Sequence, residues 1–162
     1  MALDEASKER LGAIYNPLAL RAERVCKIMD SKHSFPMRIT QGLRSYEEQK
    51  KLYCRGRSKD PKTGLWVTTD PKIIVSNSPP GYSFHNYGLA VDFAFMGEDP
   101  YLENAPAGLQ KHAWLSLCLA CEAEGLTAGY RFLTFQDRPH AQFTRGVTIK
   151  EARNVLRYKV LC

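Results

Sequence analysis

Residues 81–95 read GYSFHNYGLAVDFAF. The second half alternates. Leu89, Val91, Phe93 and Phe95 fall on one face of a strand, and Ala90, Asp92 and Ala94 on the other. That pattern predicts a β-strand. A carboxylate within such a run demands a partner, because burying an unpaired charge is costly. The alanines beside Asp92 leave space on its face for that partner.

His85 precedes Asp92 by seven positions, which would put the two on opposite faces of a straight strand. The break at Asn86-Tyr87-Gly88 removes the difficulty. Gly88 can take a turn conformation closed to other residues, so His85 can swing back over the Asp92 face. Farther along, Asp137-Arg138-Pro139-His140 reads as a turn, with His140 starting a strand. Gln142 would share its face, with Ala141 and Phe143 opposite. Two imidazoles and a carboxylate are a common catalytic zinc set, with a fourth position open for water. Asp137, close to but distinct from those ligands, would then serve as general base. On spacing alone a histidine near an aspartate is as readily a structural pair, and both readings stand at this point. His33, in a polar loop, and His112, beside Lys111, read as surface residues.

The chain has 162 residues, 44% of them hydrophobic, which suits one compact domain over 1–162. A charged fraction of 25% argues against general disorder. No apolar run approaches the length of a membrane span, so stable membrane insertion is not expected. Met1 to Glu5 lacks a basic region followed by an apolar one, so no signal peptide is read. The five cysteines (Cys26, Cys54, Cys118, Cys121 and Cys162) form no even framework. Cys118 and Cys121 make a CxxC without a second pair, and buried helical thiols are the expectation. Net charge is +6. The excess lies in residues 50–62 and 145–159, and such patches favour an anionic polymer. Neither segment shows the stacking aromatics or recognition helix of a nucleic-acid binder, so no nucleic-acid partner is expected. The acidic loop from Glu98 to Asn104 has the clustered oxygens for calcium, although solvated acidic loops are commoner.

Asn16-Pro17 signals a helix start, with Leu18, Ala22, Val25 and Met29 at helical spacing and an end near Asp30. Met37 to Thr40 predicts a short strand. Ser45-Tyr46-Glu47-Glu48 is a capping box opening a helix that stops near Gly56. Residues 57–82 predict a long surface loop, with Ile73-Ile74-Val75 its only strand-like piece. Pro106 or Ala107 begins a helix closed by Gly125. Tyr130–Phe135 and Ala141–Phe143 read as strands. Thr148 to Glu151 is a second capping box, opening a final helix to about Tyr158. Helices and strands mix without regular βαβ alternation, so the class is α+β.

Three segments then carry a family resemblance. Ser83 to Asp92 resembles the S-x-H-x-x-G-x-A-x-D signature of the D-Ala-D-Ala carboxypeptidase and L-alanyl-D-glutamate peptidase group of zinc peptidases. Asp137 to Phe143 is similar to the group's second segment, where an acidic base precedes the last ligand by three. Gln41 to Gln49 resembles the segment carrying a substrate-binding arginine. The order of all three agrees, over roughly residues 9 to 143. The resemblance implies a hedgehog and D-Ala-D-Ala-peptidase-like fold, α+β, with a small antiparallel sheet and flanking helices. It implies one zinc ion held by His85, Asp92 and His140, Asp137 as base, and Arg44 and Ser83 on the substrate. An aspartate in the base position is most similar to phage endolysins that cut the L-alanyl-D-glutamate bond of the peptidoglycan stem peptide and lyse the host. Such a protein would be a monomer without a separate wall-binding domain. It would be made in the host cytoplasm and act on the wall in the periplasm after release. The alternatives are a D-Ala-D-Ala carboxypeptidase of the same fold and a zinc-bearing binding module without chemistry. Two departures from the group's pattern bear on bond specificity. Gly129-Tyr130-Arg131-Phe132 stands where a Gly- and Trp-rich stretch is common, and Ala141 where an aromatic is common.

Overall fold

The computed structural model describes residues 2–159, with side chains through Val155. Cys162 and the side chains of Arg157 and Lys159 lie outside the described residues. The chain divides into two compact units, Met1–Leu43 with Gly88–Arg145, and Arg44–Tyr87 with Gly146–Cys162.

The first unit holds α1 (Glu5–Gly12), α2 (Asn16–His33), β1 (Met37–Gln41), β4 (Ala90–Phe95), α4 (Ala107–Ala123), β5 (Thr127–Ala128) and β6 (His140–Gln142). Its antiparallel sheet has the order β1-β4-β6-β5. Period-2 alternation makes β4 a strand, and both of its faces are covered. Val91 and Phe93 meet no water, nor do Ala90 and Ala94. Helical spacing aims Leu18, Ala22, Val25 and Met29 of α2 and Trp114, Leu117, Cys118 and Cys121 of α4 into the same core. Phe95 meets Trp114 edge-on, with ring centroids 4.8 Å apart.

Pro17 sits in the first turn of α2, where a missing N–H costs nothing. The cap itself is Tyr15, one residue before the expected Asn16. The helix also runs three residues past Asp30, because the stop is Ser34. Ser34 is left-handed (φ 57°), and its N–H returns to the Met29 carbonyl. The α4 helix ends as expected, at Gly125 with φ 70°.

The outer edge of β1 is covered by α1. The Ile39 N–H donates to the buried Ser7 hydroxyl at 2.9 Å, and its carbonyl accepts from the Arg10 guanidinium at 2.9 Å. Residues 130–135 are not the expected strand. The chain pairs earlier, at β5, then makes a 3-10 turn over Gly129–Arg131. Gly129 forces this. A Cβ there would lie 2.3 Å from the Asp137 carbonyl oxygen and 2.9 Å from the His140 Cβ. Cys26, Cys118 and Cys121 are buried, as expected of structural thiols. Burial pushes the Cys26 thiol up to about 12 and raises Cys121 as well.

The second unit holds α3 (Tyr46–Cys54), β2 (Arg57–Lys59), β3 (Trp66–Thr68), α5 (Ile149–Lys159) and 3-10 turns at Pro71–Ile73 and Phe84–Tyr87. Both capping boxes form as the sequence predicts. Glu48 and Ser45 exchange hydrogen bonds at the start of α3, and Glu151 and Thr148 do so before α5. The expected loop over 57–82 is instead a hairpin followed by a 3-10 turn that takes in Ile73. Its cross-strand pairs, Arg57 with Thr68 and Lys59 with Trp66, are largely exposed and set a cation in each, so no apolar alternation marks them. Contacts with α3 order it. The Arg57 guanidinium lies 4.3 Å from the Tyr53 ring centroid and donates to the carbonyls of Tyr53 and Ser76. Trp66 meets Tyr53 edge-on at 6.0 Å. Among the described residues, no helix is long and apolar enough to cross a membrane.

Candidate active site

Strand register places the first two donors. Asp92 on β4 stands directly opposite His140 on β6. The His140 Nδ1 lies 3.2 Å from Asp92 Oδ1, and its Nε2 lies 3.1 Å from Gln142 Oε1. Gln142 shares the His140 face, as alternation requires. Its carbonyl oxygen selects the tautomer with the proton on Nε2, which turns the Nδ1 lone pair toward the Asp92 carboxylate. Two lone-pair donors facing each other need a cation between them. Burial pulls the His140 imidazole down, but the hydrogen-bonded Asp92 carboxylate outweighs it and, with Asp137, raises the pKa overall. A divalent metal is suited to the same lone pairs. The register of β1 shifts between Ile39 and Gln41, the residue paired with Asp92.

Asp137 opens the turn that leads into β6. Its carbonyl accepts the His140 N–H at 3.1 Å, and its own N–H donates to the Gly129 carbonyl at 3.1 Å. The Pro139 carbonyl accepts from Phe93 N–H at 3.0 Å, which ties the turn to β4. The Asp137 side chain is half-buried, and the Phe132 ring lies 5.7 Å from the His140 ring, centroid to centroid.

His85 sits in the 3-10 turn Phe84–Tyr87 and is 2% exposed. Gly88 follows with φ 64°, the turn conformation anticipated for it. One ligand atom from each of His85, Asp92 and His140 lies within 4.8 Å of the others. Among the described residues this is the set with the donors for a metal ion. Two imidazoles and one carboxylate fit zinc.

Arg44 is half-buried just before the α3 cap. Its backbone N–H donates to the His85 carbonyl at 3.0 Å, and its Nη1 donates to Gln49 Oε1 at 3.0 Å. Ser83 is half-buried, and its carbonyl accepts the Asn86 N–H at 3.0 Å. Three polar residues were given no role in the sequence reading: Gln49, Asn86 and Gln142. Gln49 is fully buried, accepting from Arg44 and donating to Ser76 Oγ at 3.0 Å and the Ser78 carbonyl at 2.7 Å. Its signal was its place four residues after a cap, which alone does not separate it from a surface glutamine. The acidic loop has an internal use: the Asp99 carboxylate accepts the N–H groups of Glu103 and Asn104, and nothing there supports calcium.

The profile of the VanY family, D-alanyl-D-alanine carboxypeptidases, matches residues 18–136, most of the chain. The chain belongs to the VanY family. The VanY match takes in Arg44, Ser83, His85 and Asp92 and stops just short of Asp137 and His140. A relative, the peptidoglycan L-alanyl-D-glutamate endopeptidase CwlK of Bacillus subtilis (strain 168), is 34% identical over 108 residues. That alignment covers 64% of this chain and 58% of the relative, so the chain spans little more than half of that protein. Two solved structures share the fold. The LdcB LD-carboxypeptidase has TM-score 0.54 and 22% identity, over 90% of this chain and 71% of that one. DacB from Streptococcus pneumoniae D39 has TM-score 0.53 and 20% identity, over 91% and 77%. The α+β class with a small antiparallel sheet and flanking helices is therefore borne out.

Proposed function

We propose that this chain is a zinc-dependent peptidoglycan endopeptidase that hydrolyses the L-alanyl-D-glutamate bond of the stem peptide. In the same reading it is a phage endolysin that lyses its host. In this reading it acts as a monomer on the wall in the periplasm. The observation that carries the reading is the convergence of His85, Asp92 and His140. Membership of the VanY family supports peptidase chemistry, and the likeness to CwlK favours the L-alanyl-D-glutamate bond. The basic runs suit a carboxylate-rich wall.

His85, Asp92 and His140 would hold the zinc. When bound, zinc supplies Lewis acidity, which acidifies water and polarises a carbonyl. Gln142 keeps the His140 ring in the tautomer whose Nδ1 can ligate. The Asp137 carboxylate takes the proton of the attacking water and passes it to the leaving amine. Its turn is braced by Gly129 and β4, which fixes the backbone that carries the carboxylate. The Arg44 guanidinium, steadied by Gln49, offers a planar fork to a substrate carboxylate or polarised carbonyl. Ser83 hydrogen-bonds a peptide end.

A second reading, release of the terminal D-alanine, is favoured by the name of the family profile. Mass spectrometry of purified peptidoglycan after incubation, with and without a chelator, separates the two. Cleavage between L-alanine and D-glutamate that the chelator stops is the expected result. Loss of D-alanine alone would favour the carboxypeptidase. Absence of any product from zinc-loaded protein would favour a binding module. Asp137→Ala is expected to lower kcat by about 10²–10⁴-fold while zinc content stays at one per chain. Retention of full turnover would remove Asp137 from the mechanism.

A further inference from the structure

One buried side chain in the second unit bonds to both segments that carry a proposed substrate contact. Asn86 is 7% exposed. Its Oδ1 accepts the Gly81 N–H at 3.0 Å. Its Nδ2 donates to the Arg44 carbonyl at 2.9 Å and more weakly to the Ser45 carbonyl at 3.4 Å. The Arg44 N–H donates to the His85 carbonyl, so residues 85 and 86 grip Arg44 through both its N–H and its C=O. Gly81 is gripped in the same way. Its N–H goes to Asn86, and its carbonyl accepts the Tyr87 hydroxyl at 2.7 Å. Gly81 has φ 79°, a conformation that other residues resist, and Ser83 follows two residues later. A carboxamide suits this place because one end accepts while the other donates twice. An aspartate has the same shape without the donors, and a leucine of similar size has neither function.

We propose that Asn86 is a positioning residue that fixes the spacing of Arg44 and Ser83 and so sets affinity for the stem peptide. It acts through those two residues, and it rests on their reading as substrate contacts given above. Its side-chain bonds to the Gly81, Arg44 and Ser45 backbones fall on the substrate-binding segments. Its loss is therefore expected to fall on substrate binding, with zinc content and the proton-transfer step in place.

Asn86→Asp keeps the acceptor for Gly81 and sets a carboxylate oxygen against two carbonyls. The KM for a soluble stem tetrapeptide is expected to rise about tenfold, with kcat within about twofold of wild type and zinc content unchanged. A readout without turnover accompanies it. Calorimetric affinity of the same tetrapeptide for the Asp137→Ala protein should fall about tenfold when Asn86→Asp is added. In a double-mutant cycle with Arg44→Ala, the two effects should sum to less than their separate values. A merely structural role would lower the melting temperature and the active fraction but leave KM unmoved, and that result overturns the proposal. Should Asn86→Asp not fold, Tyr87→Phe removes the hydroxyl that holds the Gly81 carbonyl and lies 3.0 Å from the Tyr46 hydroxyl. It is expected to raise KM about threefold, and an unchanged KM there also overturns the proposal. Wild-type protein that neither binds nor cleaves the tetrapeptide would sink this inference together with the functional reading. Wild-type cleavage beside an Asn86→Asp variant of normal KM sinks this inference alone.

Discussion

Leu18, Val25, Met29, Ile39 and Phe93 meet no water in the first unit, whereas the side chain most withdrawn from solvent in the second is the amide of Gln49. The first unit is built around a continuous apolar cluster that joins α2, α4 and the sheet. The second is joined by directed bonds: Gln49 to Arg44, Ser76 and Ser78, Asn86 to Gly81, Arg44 and Ser45, and Arg57 to Tyr53, Ser76 and Asn77. Apolar burial is roughly proportional to area and tolerant of direction. Hydrogen bonds add little net stability but cost much when one partner is removed. Of the proposed site residues, Asp92, Asp137 and His140 belong to the first unit, and Arg44, Ser83 and His85 to the second.

The largest test of this contrast is Phe93→Ala. Truncating a fully buried ring in the central strand should cost about 3–5 kcal/mol in chemical denaturation. A cost below about 1 kcal/mol would mean that the apolar cluster is not what holds β4. Gln49→Ala should cost about 1–3 kcal/mol, because Arg44 and the Ser78 carbonyl lose a buried partner. Its mark should be local. Amide exchange is expected to speed up in α3 while the amides of β4 stay protected, and equal loss in both would dissolve the distinction. The smallest effect concerns pH. The Ser45 backbone N–H, and after it the Ser45 hydroxyl, hold the Glu48 carboxyl below its ordinary value of 4.5. A depressed folded pKa contributes stability that is present above 4.5 and lost as pH falls through the folded value. Glu48→Gln retains the box without the charge. It should be less stable than wild type by about 0.3–1 kcal/mol at neutral pH, and the difference should close in acid. A gap that persists at pH 2 would place the stabilisation elsewhere.

The same contrast explains how far the sequence could be read. Period-2 alternation located β4, and helical spacing located α2 and α4, because apolar side chains facing a core leave a repeat along the chain. Both capping boxes were legible because each completes itself within four residues. The hairpin at 57–68 left no such trace, since its strands pair through Arg57, Lys59, Trp66 and Thr68 and bury little. Residues 130–135 carry aromatic, strand-like residues, yet the close approach of Gly129 to Asp137 turns the chain instead. That contact joins residues eight apart and has no local signature. His85, Asp92 and His140 were raised as a candidate set by residue type and the glycine between the first two, and the family resemblance singled them out. The roles of Gln49, Asn86 and Gln142 were missed because an amide announces nothing until its partners are known.

The side of β1 away from β4 offers a last consequence. Ser7 and Arg10 occupy the N–H and C=O of Ile39 that would otherwise point outward, and the opposite margin of the sheet, β5, is two residues long. Neither border can readily recruit a strand from a neighbouring chain, which is the usual seed of fibrils. Concentrated preparations should therefore resist fibrillar aggregation for as long as the N-terminal helix stays docked.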